Sequence, residues 1–228
     1  MKKIAIFVEG MTEQELVVWL VKSIASAVGL QVVLGKQFGG KVNISTAPAE
    51  LGISFYVLVV DCSCDEQVKT QIKEAYPTLI IQGFTHIIGL RDVYPMNLAD
   101  VPSIKAHLMA GLPTDPVVPK IHLALMEVEA WFIGETTHFP RLDPDLTIAE
   151  IIAGGFPIDA TNIEAWPNPA ATLHQIYKIK KLAYKKKKAQ VQRTIAALSY
   201  NQISTTVRNG APALNEFLFD VENALILK

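Results

Sequence analysis

Residues 4–15 read IAIFVEGMTEQE, and this stretch decides the fold. The run from Ile4 to Val8 is apolar and mostly β-branched or aromatic, which is typical of a strand buried in a parallel sheet. Glu9 and Gly10 follow at once, and a helix start comes directly after them. This strand-turn-helix unit places Glu9 at the carboxyl end of a strand, where open α/β sheets bind their ligands.

Two signals predict the ends of the helix that follows Gly10. Thr12 and Glu15 have the spacing of a capping box, so the helix is expected to begin at about Glu13. Gly29 stands where a left-handed C-terminal cap is usual. Between these ends, apolar residues recur every three or four positions and define one face: Leu16, Val17, Leu20, Val21, Ile24 and Val28.

Further apolar runs predict four more strands, at residues 31–34, 55–60, 85–90 and 120–125. Between the second and third of these runs, a helix capped by Asp65 and Glu66 is expected to stop at Pro77. The alternation of strands and helices predicts an α/β fold with a mostly parallel, Rossmann-like sheet and helices on both faces.

From residue 136 onward the sequence pattern changes from strand to helix, which predicts one domain with a helical extension. Residues 1–135 would form the α/β core, and residues 136–228 a helical extension packed on it. Within the extension, Asn168-Pro169 predicts a helix start. The last helix is expected from about Pro212 to Leu227, with one apolar stripe that packs in the core.

A helix is also expected across residues 126–135, which hold two candidate ligands, Glu127 and Glu129. Residues two apart on a helix lie about 200° apart. The two carboxylates are therefore not expected to face one site, and one of them is predicted to be solvated.

Composition limits the class of protein. The chain has 228 residues, half of them apolar, and a formal net charge of −1, so a polyanion partner has to meet a local basic patch. No apolar run reaches eighteen residues, and no signal-peptide pattern follows the start, which favours a cytoplasmic protein without a membrane partner. Cys62 and Cys64 are interpreted as reduced thiols.

Acidic residues end three of the predicted strands: Glu9, Asp61 and Asp92. In a parallel sheet they would share one edge, and clustered carboxylates imply a compensating cation. Mg²⁺ is the first candidate because it takes oxygen ligands and keeps several waters. The alternative is that such acids cap helices or pair with nearby bases, as Asp61 would with Lys69.

Two motifs resemble a known family. The VEG of residues 8–10, followed by TE at 12–13, resembles the signature of the Toprim (topoisomerase-primase) domain, in the branch of the overcoming-lysogenization-defect nucleases. The EVEAW of residues 127–131, with NP at 168–169, resembles the C-terminal half of a group of small bacterial Toprim-like proteins.

The resemblance implies a nuclease that depends on Mg²⁺ or Mn²⁺ and acts in bacterial phage defence. Glu9 would be the general acid or base or hold a second ion, and Asp92 the first aspartate of a magnesium-binding pair. Tyr94 stands in place of the second aspartate, and Glu129 is the candidate for the absent carboxylate. Arg91 would pair with a phosphate, and the alternative for it is a surface or structural ion pair. Tyr94 favours the alternative, a degenerate module that binds nucleic acid or a partner protein without cleaving.

Residues 178–188 hold seven lysines, with Tyr177 and Tyr184 interleaved. This density is expected for a surface that contacts a phosphate backbone, although a solvated helix face is the alternative. A third hypothesis is a small-ligand protein that uses the glycine pair Gly39-Gly40. The candidate nucleic-acid contacts are Lys181, Lys185, Lys186, Lys187 and Lys188.

Overall fold

The computed structural model describes residues 1–25, 29–38, 41–44, 52–64, 67–159 and 161–226. The chain divides into two compact units. The sheet unit comprises Met1–Arg91, Ala99–Leu123 and Phe217–Lys228, and the helical unit comprises Asp92–Leu98 and Ala124–Glu216. This division differs from the predicted boundary at residue 136, because the chain leaves its last strand at Ala124 and the C-terminal segment groups with the sheet.

Six strands form one sheet in the described part of the chain: β1 (Lys2–Val8), β2 (Leu30–Phe38), β3 (Lys41–Ile44), β4 (Phe55–Asp61), β5 (His86–Asp92) and β6 (Lys120–Ala124). Their spatial order is β3-β2-β4-β1-β5-β6. β1 runs parallel to β4 and β5, and β2 runs parallel to β4. Only β3 is antiparallel to its neighbour among the pairings described. The predicted α/β fold with a mostly parallel, Rossmann-like sheet is confirmed.

β1 lies inside the sheet, and the residues from Ile4 to Val8 are at most 1% exposed. The connection that follows β1 runs to β2, toward one edge of the sheet. The connection that follows β4 runs to β5, toward the opposite edge. Right-handed crossovers then place the connecting helices on opposite faces. The carboxyl ends of β1 and β4 therefore flank a topological switch point, and Glu9 and Asp61 stand at these ends.

Helix α1 (Met11–Ile24) begins two residues earlier than the capping box predicts. Gly10 is its N-cap, and no side chain caps it, so the predicted box of Thr12 and Glu15 is wrong. The reason is the tight turn after β1. The Gln14 N–H already donates to the Gly10 carbonyl (3.0 Å), and Thr12 lies buried inside the first turn.

The predicted C-terminal cap is also wrong, because α1 ends at Ile24 and Ala25 is its cap. Gly29 instead approaches another backbone segment closely, and its carbonyl accepts from the Ser54 N–H (2.8 Å). A Cβ at Gly29 would lie 2.9 Å from a backbone oxygen. Val28 lies outside the described residues.

Helix α2 (Gln67–Ile81) continues through Pro77, where the sequence predicts its end. A proline inside a helix removes one backbone hydrogen bond. The helix continues because Tyr76 and Leu79 are buried on either side of that position. The predicted N-terminal residues of this helix and the glycine pair lie outside the described residues: Asp65, Glu66, Gly39 and Gly40.

The sheet unit also contains α3 (Val101–Met109). Beyond β6 follow α4 (Glu129–Gly134), α5 (His138–Leu142), α6 (Ile148–Ala153), α7 (Pro169–Lys178), α8 (Lys188–Ala197), α9 (Tyr200–Gln202), α10 (Arg208–Gly210) and α11 (Pro212–Ala224). Asn168 and Pro169 begin α7 as predicted, and the predicted apolar stripe of the last helix is buried. None of the described helices is both long and apolar enough to cross a membrane.

Candidate metal centre

Asp92 is the last residue of β5 and one of three buried carboxylates that meet in the helical unit. It is 3% exposed. The next residue, Val93, donates its N–H to the Ala124 carbonyl (3.0 Å). Asp92 Oδ1 accepts from the Val128 N–H (3.3 Å). These contacts hold Asp92 against the segment that carries the other two acids.

Glu127 and Glu129 lie on either side of a helix start. Met126 has a left-handed backbone (φ 63°), and α4 begins only at Glu129. Glu127 therefore precedes the helix, and the 200° separation does not apply to the pair. Both residues are buried, so the prediction that only one faces the site is wrong. Ligand oxygens of Asp92, Glu127 and Glu129 all lie within 4.8 Å of one another.

Hydrogen bonds and one lysine hold the two glutamates in place. Glu127 Oε2 accepts from the Ala170 N–H at the start of α7 (2.9 Å), and its Oε1 accepts from Lys186 Nζ (2.9 Å). Glu129 Oε1 accepts from the Tyr184 hydroxyl (2.8 Å) and lies 3.4 Å from the same ammonium. A helix N-terminus favours negative charge, so α7 stabilises the Glu127 carboxylate.

One oxygen of this cluster has no hydrogen-bond partner among the described residues. It is Oε2 of Glu129, a residue with 0% exposure. A buried acceptor left unpaired costs about 1–3 kcal/mol. Burial raises the pKa of Glu129, and the Lys186 ammonium opposes this rise. The unpaired oxygen leaves one position in the cluster open to a ligand.

The charges of the cluster also favour a cation. The carboxylates of Glu127 and Glu129 share one ammonium, that of Lys186, and the Asp92 carboxylate lies beside them. Burial alone would lower the pKa of Lys186, but the carboxylates of Glu129, Asp92 and Glu127 raise it, and the lysine stays charged. Carboxylate oxygens are the donors that Mg²⁺ and similar hard cations prefer. The residues present therefore fit a divalent cation.

Glu127 supplies the third carboxylate of this cluster, and Tyr94 is not part of it. Tyr94 is 42% exposed, and its backbone N–H donates to the Met126 carbonyl (2.8 Å). The three carboxylates thus come from the end of β5, the turn before α4 and the first residue of α4.

Asp61, a further candidate ligand, lies in the sheet unit. It is 4% exposed, and its Oδ1 accepts from the Ser63 N–H (2.8 Å). Its Oδ2 lies 3.7 Å from Lys36 Nζ. The alternative pairing with Lys69 is wrong, because Lys69 Nζ donates to the His107 carbonyl.

Glu9 and Arg91 stand at neighbouring strand ends of the sheet unit. Val8 pairs with Leu90 in the register of β1 and β5, and Glu9 and Arg91 come one residue further on. Arg91 is 7% exposed, and its Nε has no hydrogen-bond partner among the residues described. The convergence of Glu9 with Asp92 and Glu129 stays a prediction.

The lysine-rich stretch forms the connection between α7 and α8. All five of its candidate contacts are exposed: Lys181, Lys185, Lys186, Lys187 and Lys188. The ammonium of Lys186 nevertheless lies against Glu127 and Glu129. Tyr177 and Tyr184 are buried, with their ring centroids 6.1 Å apart. The interleaved tyrosines therefore do not offer a surface on which bases stack.

Tyr184 and Lys186 are the two functional residues that sequence reasoning missed as members of the acid cluster. Lys186 is one of four consecutive lysines, and no local pattern distinguishes it from its neighbours. The left-handed backbone of Lys186 (φ 49°) is what separates it from them.

No protein-family model matches this chain, and no curated protein matches it. The function therefore has to be inferred from the geometry of the site and from the sequence motifs.

Proposed function

We propose that this protein is a Toprim-like nuclease that hydrolyses nucleic-acid phosphodiesters with a divalent cation, and that it serves in bacterial phage defence. The observation that supports this most is the convergence of Asp92, Glu127 and Glu129 around a buried, unpaired oxygen. The parallel sheet with Glu9 at a strand end agrees with a Toprim core. The free cysteines agree with a cytoplasmic location.

Each group has a stated role in this proposal. Mg²⁺ or Mn²⁺, held by Asp92, Glu127 and Glu129, would neutralise the negative charge that develops on the phosphoryl oxygens. Glu9 keeps the role that the resemblance implies and holds or moves the proton of the attacking water or of the leaving oxygen. Arg91 offers a buried donor for a phosphate oxygen.

A Glu9→Gln variant tests the proposed chemistry. We expect its cleavage of DNA or RNA in the presence of Mn²⁺ to be at least about 100-fold slower, because general acid-base catalysis contributes about 10²–10⁴-fold. Glu74→Gln, which changes an exposed carboxylate on α2, is the matched control and should cleave like wild type. Cleavage by Glu9→Gln at the wild-type rate would remove Glu9 from the mechanism.

The exposed lysines predict how affinity depends on salt. Lys185→Ala combined with Lys187→Ala should reduce the slope of log affinity against log salt by about 1.8 on duplex DNA, since each lost phosphate contact contributes about 0.9. The paired control is Lys22→Ala with Lys73→Ala, which removes two exposed lysines of the sheet unit. If both double variants had the same slope of log affinity against log salt, this loop would be excluded as the nucleic-acid contact.

A second candidate function is a module that binds nucleic acid or a partner protein without cleaving. One observation favours it: the Lys186 ammonium already lies against Glu127 and Glu129. The nuclease assay separates the two functions, because binding without cleavage on any substrate or metal would support the module.

A further inference from the structure

Lys186 lies where a cation would bind the carboxylates. The inference drawn from this position rests on the proposed metal-dependent function and concerns how metal binding is regulated. Its Nζ is 2.9 Å from Glu127 Oε1 and 3.4 Å from Glu129 Oε1. A divalent cation needs the same oxygens at shorter distances, about 2.0–2.6 Å. The ammonium and the metal therefore compete for the same carboxylate oxygens.

Both oxygens of Glu127 are already in use. Oε2 accepts from the Ala170 N–H, and Oε1 accepts from Lys186. Each of these oxygens keeps a second lone pair, so a bound metal need not displace the neutral Ala170 N–H. The Lys186 ammonium and a divalent cation repel each other, so a metal bound by Glu127 competes with Lys186. Oε2 of Glu129 is available without any displacement.

Lys186 is the easier of the two donors to replace. The Ala170 N–H belongs to the first turn of α7, and losing its acceptor would leave a part-buried backbone donor unpaired. The side chain of Lys186 is 39% exposed, so water can take over its hydrogen bonds when the ammonium moves outward.

The loop does not depend on the Lys186 ion pairs for its shape. The Tyr184 N–H donates to His174 Nδ1 (3.1 Å), and the Tyr184 hydroxyl donates to Glu129 Oε1. The next N–H, of Lys185, donates to Gln190 Oε1 (2.6 Å). These bonds flank Lys186 on its N-terminal side, and α8 begins two residues after it. The side chain can therefore leave while the backbone stays.

We propose that Lys186 is a displaceable internal cation. Its ammonium offsets part of the negative charge of the carboxylates while no metal is bound, and a divalent cation replaces it at Glu127. The released ammonium then joins the exposed Lys185 and Lys187, where it adds a positive charge toward a polyanion. Metal loading would in this way be coupled to the charge of the basic loop.

Isothermal titration with Mn²⁺ alone tests this proposal. Lys186→Met and Lys186→Gln should each bind Mn²⁺ at least about tenfold more tightly than wild type, because the metal no longer has to displace an ammonium. Lys178→Met, which removes an exposed lysine at the end of α7, is the control and should bind like wild type. Equal or weaker binding by both Lys186 variants would overturn the proposal.

Thermal unfolding shows whether Lys186→Met is folded and gives a second measure of its Mn²⁺ binding. A ligand that binds the folded state raises Tm in proportion to the logarithm of its affinity, so Mn²⁺ should raise Tm more in this variant than in wild type. A smaller or equal rise would contradict the displacement of Lys186. If neither wild type nor the variants bound Mn²⁺, the proposed metal-dependent function would fail as well, whereas equal binding by all of them would overturn only the role of Lys186.

Discussion

An Asp92→Asn variant is expected to cleave nucleic acid in the presence of Mn²⁺ at least about 100-fold more slowly than wild type. Removing even an outer partner of a metal ligand costs about 10–100-fold in affinity or activity, and Asp92 is a proposed direct ligand. The substitution keeps the hydrogen bond from the Val128 N–H, because the Asn Oδ1 can still accept it. The measurement is the initial cleavage rate at several Mn²⁺ concentrations.

Asp143→Asn is the matched control for this variant. Asp143 lies in the same helical unit, and its Oδ1 also accepts one backbone N–H, from Asp145 (3.0 Å). It should cleave like wild type. Cleavage by Asp92→Asn within about twofold of wild type at every Mn²⁺ concentration would show that Asp92 is not a ligand, since a lost ligand has to lower metal affinity.

The largest effect on stability is expected for Glu164→Ala. Glu164 is 5% exposed and accepts from the indole N–H of Trp131 (2.9 Å) and from the N–H groups of Ala213 and Leu214 (3.2 Å each). Each buried donor that loses its acceptor costs about 1–3 kcal/mol, so the free energy of unfolding should fall by about 3 kcal/mol or more. For a chain of this size that corresponds to a decrease in Tm of about 6–12 °C.

Two variants make the Glu164 result specific. Glu164→Gln keeps one acceptor oxygen and should lose clearly less stability than Glu164→Ala. Glu150→Ala removes a half-exposed carboxylate on α6 and should change the free energy of unfolding by no more than about 0.5 kcal/mol. A similar loss for Glu164→Ala and Glu150→Ala, measured by urea unfolding, would show that the buried hydrogen bonds of Glu164 contribute little.

Glu164 also matters for the candidate metal centre. Trp131, its partner, stands two residues after Glu129 in the short helix α4 and is 1% exposed. The bond from Trp131 to Glu164 therefore holds the helix that begins with a proposed ligand. The resemblance covers Trp131 as part of a motif, and the structure gives this residue a positioning role within the helical unit.

Local patterns were sufficient to predict five of the six described strands and the strand-end acids, whereas β3 was not predicted. The run from Ile4 to Val8 is buried on both faces, and such a run leaves few alternatives to a parallel strand. Asp92 follows an apolar run of the same kind, so its place at the end of β5 was visible in the sequence. These features depend on neighbours within a few residues of one another.

Features that depend on tertiary contacts were missed. Glu127 joins the site because α4 begins at Glu129, after a left-handed Met126, and the periodicity of the sequence places the helix start earlier. Pro77 lies inside α2 because buried neighbours outweigh its lost hydrogen bond. Lys186 reaches Glu127 across 59 residues of sequence, and no local rule selects it from a run of lysines.

A crystal soaked in Mn²⁺ gives the most direct test of the central claim, that Asp92, Glu127 and Glu129 bind a divalent cation. Anomalous scattering locates Mn²⁺ independently of any assumption about its ligands. We predict a peak about 2.0–2.6 Å from oxygens of the three carboxylates, with Lys186 Nζ moved away from Glu127. No peak at these carboxylates at saturating Mn²⁺, with Lys186 still bound to Glu127 and Glu129, would contradict the claim.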